Sequence, residues 1–214
     1  MFLFFWYIQF HIDVTSNLFS WSSVILNTAL FMIFPLQHSI LVRPKIKEWI
    51  QSIVPKLLER SIYVGTSGIA MLIVLFKWRQ FEPLLYRFET AWPFDVVFYL
   101  ALFGILLALR NLNHNSMFGL TQGYVLLKSS EMPVEELKAT GLFKYVRHPL
   151  TSLLIVTLWA NESMTAGRLQ WNLLFTAYAL IGTFFEERDL IRKYGQSYLE
   201  YRNRVPAYIP FLKF

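Results

Sequence analysis

From Ser20 to Leu41 the chain reads SWSSVILNTALFMIFPLQHSIL, a run without a single Asp, Glu, Lys or Arg. Wound as an α-helix at about 1.5 Å per residue, it is long enough to cross roughly 30 Å of hydrocarbon. A membrane crossing of this kind forces the rest of the fold toward helix, because lipid offers no partner to an unpaired backbone N–H or C=O. The composition agrees: 55% of the 214 residues are hydrophobic, 18% aromatic and only 16% charged, where an ordinary soluble domain carries about a quarter charged residues.

Upstream of this run, residues 1–12 are apolar and aromatic but lack the basic start and small-residue cleavage site of a secretory signal. They read as an interfacial or partial helix. Downstream comes a basic segment with Arg43, Lys45, Lys47 and Lys56, then a second span over about Ser61 to Trp78, whose Gly65 and Gly68 are expected to let a neighbouring helix approach closely. A third span follows Pro93 and ends near Arg110, with Asp95 at its end and not at its middle. Residues 111–146 form the longest polar stretch and are expected outside the bilayer.

Two further apolar segments, Leu150 to Ala160 and Leu169 to Phe185, are separated by NESMTAGR. The first is too short to cross unaided, so the pair reads as a tight helical hairpin. After Phe185 comes EERDLIRKYGQSYLEYRNRVP, a helix leaving the membrane, a break near Gly195 and an amphipathic tail. The fold class expected is therefore all-α: a polytopic transmembrane bundle of about five helices with a C-terminal helical hairpin and an amphipathic cytoplasmic tail, in a single domain over 1–214.

Five spans sort the loops onto two sides. One side holds Lys77, Arg79, Arg87 and Arg168; the other holds the remaining sixteen of the chain's 20 Lys and Arg. The positive-inside rule then places the N-terminus outside and the basic C-terminal region in the cytoplasm. The net charge of +6 is accounted for by topology, which removes the reason to expect nucleic acid. Cysteine is absent, so the protein supplies no disulfide, thiolate metal site or cysteine nucleophile. His11, His38, His114 and His148 stand far apart with no metal-binding spacing, and no metal is expected.

That topology gathers FGLTQ (Phe118 to Gln122), YVRHP (Tyr145 to Pro149) and EERDL (Glu186 to Leu190) on the cytoplasmic face. Pro149 suits the first turn of the fourth span, which puts Arg147 and His148 just ahead of a helix N-terminus. Unsatisfied N–H groups, the dipole and an Arg together make an anion site. Glu186 and Glu187 close the fifth helix, where the dipole disfavours acid, and suit the two hydroxyls of a ribose or an amino group. Each residue also has a plainer reading. Arg147 alone is equally a headgroup anchor, and His148 a packing residue. Glu187 can belong to a solvated helix exit, and His38 can be an interhelical contact. Tyr194, Tyr198 and Tyr201 are first of all an interfacial belt.

Taken in order, GLFKYVRHPL, SMTAGRL and EERDLIRKYGQSYLEYRNRVPAYIPF resemble the isoprenylcysteine carboxyl methyltransferase and phospholipid methyltransferase superfamily over about residues 111–212. PLQHSILVRPKIKEWI, IVPKLLERSIYV and NHNSMFGLTQ extend the resemblance toward the branch of methanethiol S-methyltransferases and nurim. The resemblance implies that 111–214 is a cofactor-binding core behind the membrane helices of 1–110, and that S-adenosyl-L-methionine binds there from the cytoplasm. It implies cofactor contacts from Tyr145, Arg147, His148, Pro149, Leu150, Glu186, Glu187, Tyr201 and Arg202. Catalytic roles fall to His148 and Arg147, and acceptor contacts to His38, Asn113, His114 and Gln122.

The chain departs from that pattern at RHPLTSL, where Thr151 and Leu153 stand in place of an aromatic residue and a glycine, so a reshaped pocket is expected. The turn before the acidic pair is Ile181, Gly182 and Thr183, without the Arg that suits a carboxylate acceptor. A small thiol is the leading acceptor, being already partly thiolate at neutral pH. A lipid amine or prenylcysteine carboxylate, and a non-catalytic nurim-like membrane protein, remain as alternatives; the partners expected are the acceptor and membrane lipids.

Overall fold

The computed structural model describes residues 18–112, 124, 128, 137 and 139–212. The expectations for residues 1–12, for FGLTQ and for Asn113, His114 and Gln122 fall outside the described residues. Seven α-helices occur among the described residues: α1 Trp21–Leu41, α2 Pro44–Ile53, α3 Lys56–Lys77, α4 Trp92–Arg110, α5 Pro149–Trp159, α6 Ala166–Tyr194 and α7 Gln196–Arg204. They fall into two compact units, one of residues 18–81 and one of 82–112 with the C-terminal region from 139.

By length and composition α1 and α4 are apolar enough to cross a membrane, with 11% and 22% of their most apolar windows buried. Such bare flanks suit lipid and not a soluble core. The apolar part of α3, Ser61–Lys77, and α5, Pro149–Trp159, are shorter.

In the first unit α1 packs on α3. Asn27 is fully buried in α1, and its amide is satisfied by the backbone just past α3: Nδ2 donates to Arg79 O at 2.8 Å and Oδ1 accepts from Arg79 N at 3.0 Å. The basic segment between them is itself a helix, α2, started by Pro44 in its first turn. Among the described residues the close helix approach expected at Gly65 and Gly68 is not found, since nothing lies within 4 Å of the Cβ that either would carry.

In the second unit α4 packs along α5, which in turn packs on α6. Phe98, Ile105 and Ala160 form the core, flanked by Leu102, Leu109, Leu150, Leu153 and Leu154. Gly104 permits the approach: a Cβ there would stand 3.0 Å from Leu153 Cδ1. Beyond the α4 N-terminus this mostly helical chain adds a short ladder that the all-α expectation did not include: β1 Leu84–Arg87 pairs antiparallel with β2 Ser163–Thr165. The ladder is extended by Phe88 N donating to Glu162 O at 2.9 Å. Connecting loops leave backbone groups without helical partners, and here the loop before α4 and the α5–α6 turn satisfy each other.

α6 begins on Thr165, whose hydroxyl accepts from Arg168 N at 3.1 Å. It continues without interruption from the apolar stretch through EERDLIRKY, and at about 1.5 Å per residue is near 43 Å long. It stops at Gly195, whose φ of +56° suits glycine. That break turns α7 back onto α6 and sets up the site.

Candidate functional site

The start of α5 and the end of α6 meet directly, and α7 with the tail behind it closes over them. Glu187 is the hub. Its Oε1 accepts from Arg147 Nε at 2.7 Å and lies 2.7 Å from Arg147 Nη2; His148 Nε2 approaches at 3.0 Å and the Tyr198 hydroxyl donates at 3.4 Å. Arg202 Nε lies 3.5 Å from the other oxygen, Oε2. One carboxylate thus joins α5, α6 and α7.

Arg147 does more than pair. Its Nη1 donates to the carbonyls of Arg202 and Val205 at 3.1 and 2.5 Å. The backbone N–H groups of Arg147 and His148 donate to Pro206 O and Ala207 O at 2.8 and 3.0 Å. Ser152 Oγ donates to Tyr208 O at 2.8 Å, and the Tyr208 ring lies 5.9 Å from that of His148. The N–H groups of Arg147 and His148 are therefore taken by residues 206–207, and most guanidinium donors face internal acceptors.

The electrostatics follow from this crowding. Burial pushes the Glu187 carboxyl up, but the hydrogen bonds from His148 and Arg147 and the positive charge of Arg147 outweigh it, and the group sits below its ordinary value. Burial, with the Glu187 charge behind it, pushes the Tyr198 hydroxyl up. Burial raises Tyr201 to about 12, and its hydroxyl donates to Phe143 O at 2.6 Å, tying α7 to the 3-10 turn Gly141–Lys144. An ionised Glu187 has no proton to give, so His148 Nε2 must carry the hydrogen between them. Its Nδ1 then points toward Glu186, 3.6 Å from Oε2.

Of the residues singled out from the sequence, Arg147, His148, Glu186, Glu187 and Arg202 converge. Pro149 opens α5, and Leu150 belongs to its packing against α4. Tyr145 is exposed. His38 belongs to the unit of residues 18–81, where the Tyr63 hydroxyl lies 2.6 Å from its Nε2. The interfacial-belt reading of Tyr198 and Tyr201 is corrected, since they are 1% and 7% exposed. Their spacing with Arg202 and Val205 follows one helical face, a signal present in the sequence. The roles of Ser152 and of the backbone from Val205 to Tyr208 had no such signal, because any residue has a carbonyl.

Methanethiol S-methyltransferase 2 of Bradyrhizobium diazoefficiens is 34% identical over 203 residues, covering 94% of this chain and 78% of that protein. The chain belongs to the methanethiol S-methyltransferase family. A second member, from Mycobacterium tuberculosis, is 32% identical over 194 residues, 88% of this chain and 79% of its own. Nurim of Rattus norvegicus is 27% identical over 193 residues, covering 84% and 71%. No protein-family model matches the chain, and no solved structure matches it. Within this methanethiol S-methyltransferase family member, the two departures after RHP serve helix packing: Thr151 Oγ1 lies 3.2 Å from Thr183 Oγ1 on α6, and Leu153 fills the space opposite Gly104 on α4.

Proposed function

We propose that this protein transfers a methyl group from S-adenosyl-L-methionine to a small thiol such as methanethiol, at the cytoplasmic face of a membrane. The observation that carries the reading is the 34% identity to a methanethiol S-methyltransferase across 94% of the chain.

The donor set suits such a cofactor. Glu186, 60% exposed, has an oxygen for hydroxyls or an ammonium; Arg202, 47% exposed, has guanidinium nitrogens for a carboxylate. Tyr145 offers an exposed ring to the base or the cation. Arg147 acts in this reading by holding Glu187, His148 and the tail in place. Once bound, the cofactor supplies an electrophilic methyl on a sulfonium. The chain must then align the acceptor and exclude water, and His148 is the base at hand for the thiol proton.

Five crossings, with the N-terminus outside and the α5 start, α6 end and α7 in the cytoplasm, are part of the same proposal. Support comes from the distribution of Lys and Arg and from the β1–β2 ladder, which holds the α5–α6 turn beside the loop preceding α4. A hairpin reaching that loop crosses as far as α4 does.

Purified protein with labelled cofactor and methanethiol should yield labelled dimethyl sulfide, and S-adenosylhomocysteine should bind in calorimetry. Absence of both overturns the reading. It would instead favour a purely architectural role for the Arg147–Glu187 network. Transfer only to lipid amines or prenylcysteine carboxylates would replace the acceptor, although the turn Ile181 to Thr183 has no cation for a carboxylate.

A further inference from the structure

We propose that His148 and Glu186 form a proton exit path, in which His148 Nδ1 takes the acceptor's proton and the Glu186 carboxylate passes it to water. The inference deepens the thiol reading and rests on it. Methylating a neutral thiol releases one proton per turnover. The thiol sulfur forms the new S–C bond and the sulfonium S–C bond breaks, its electron pair returning to the donor sulfur. The S–H proton is left over and must leave a partly dry site.

The geometry assigns that proton a route. Glu187 claims the Nε2 side of His148, accepting its hydrogen at 3.0 Å. Arg147 and Tyr198 donate to the same oxygen, and Arg202 sits at the other. Held ionised by these donors, Glu187 places a hydrogen on Nε2, so in the neutral ring it is Nδ1 that carries the bare lone pair. That lone pair faces Glu186 Oε2 at 3.6 Å. In that tautomer two acceptors face each other, which marks a place for one proton.

Access runs one way. The His148 side chain is 5% exposed, whereas that of Glu186 is 60% exposed, so a proton on Nδ1 reaches water through Glu186. The separation is longer than a hydrogen bond, and a rotation of the exposed Glu186 side chain closes it, as catalytic contacts tighten when a site is filled. The charged and titratable groups around His148 are Glu186 and Glu187 from α6, Arg147 beside it, Tyr198 and Arg202 from α7, and Tyr208 from the tail. Of the two carboxylates, Glu187 is committed to the arginines. Glu186 Oε2 is thus the relay, and its second oxygen is left for the cofactor.

Two measurements test this. Nitrogen-15 spectra of histidine-labelled protein, without cofactor, should show neutral His148 with its hydrogen on Nε2; a hydrogen on Nδ1 overturns the path. Rates at saturating cofactor across thiols of rising pKa should then separate roles in Glu186→Gln. A lost relay slows an alkanethiol on the order of 10²-fold, with at least a tenfold smaller loss for an aromatic thiol already mostly ionised. A loss equal across all thiols identifies Glu186 as a cofactor contact alone and overturns the path while leaving thiol methylation standing. Wild-type protein that methylates no thiol removes both.

Discussion

Arg147 presents two nitrogens, Nε and Nη2, to a single oxygen of Glu187, each at 2.7 Å. The arginine side chain is 6% exposed and the glutamate 15%, so neither charge can fall back on water when the other is removed. Arg147→Ala and Glu187→Ala should each cost about 3–5 kcal/mol, read as a lower unfolding temperature in detergent. Arg147→Lys keeps the charge but cannot replace three nitrogens in a fixed plane. It should therefore loosen the tail, visible as faster hydrogen exchange at the Arg147 and His148 amides that now donate to Pro206 O and Ala207 O. Unchanged exchange in that variant would refute the coupling of guanidinium and tail.

The same network sets an acid limit. Glu187 is pushed up by burial and down by more through His148 and Arg147, so its folded value lies below the ordinary 4.5. A depressed carboxyl contributes stability in full above its unfolded value and loses it as pH falls through the folded one. Unfolding temperature should hold down to about pH 4.5 and then drop. In Glu187→Gln the protein should be less stable at neutral pH and the acid drop shallower.

An alkaline limit has the opposite sign. Burial foremost holds Tyr201 neutral to about 12 against an ordinary 10.0. A raised value contributes stability in full below pH 10 and loses it as pH rises toward 12. Tyr201→Phe should cost about 1 kcal/mol at neutral pH, for the lost bond to Phe143 O, and should flatten the alkaline fall in a pH series of unfolding temperatures. Tyr198, raised in the same direction, keeps the remainder.

How far the sequence could be read depended on whether a residue's role is local. The apolar run Ser20 to Leu41, the Pro149 helix start and the Gly195 break each follow from neighbours in the chain, and helices Trp21–Leu41, Pro149–Trp159 and Ala166–Tyr194 agree. The convergence of Arg147, His148 and Glu187 was legible because charged residues at a membrane boundary ask for partners. What each one touches was not legible. An anion site at Arg147 was expected because nothing in RHPLTSL reveals that the carbonyls of 202 and 205–207 arrive from the C-terminal end of α7 and the residues after it. The β1–β2 ladder was hidden for the same reason, since LLYR and SMT carry little strand pattern and pair across nearly eighty residues.

Packing between α4 and α5 offers a test independent of charge. Gly104 and Leu153 occupy one gap, with 3.0 Å between a notional Cβ and the leucine methyl. Gly104→Val should overfill it at about 1–3 kcal/mol, and Leu153→Ala should leave a void at roughly 2 kcal/mol or more. Combined, the two should cost less than their sum, because the alanine makes room for the valine; strict additivity in a double-mutant cycle would place the residues out of contact.

The proposed topology can be tested without first altering the protein, because the chain has no cysteine and any introduced thiol is the sole target. Glu89, exposed in the loop before α4, and Ser197, exposed in α7, lie on opposite sides if α4 crosses and the α5–α6 hairpin returns the chain to the cytoplasm. In intact cells Glu89→Cys should react with a membrane-impermeant maleimide, and Ser197→Cys should react only after permeabilisation. Charge predicts the sign, since the proposed topology puts sixteen of the chain's 20 Lys and Arg on the α7 side and four on the other. Labelling of both from outside would break the odd number of crossings between them. The reverse pattern would keep the bundle but turn the site away from a cytoplasmic cofactor.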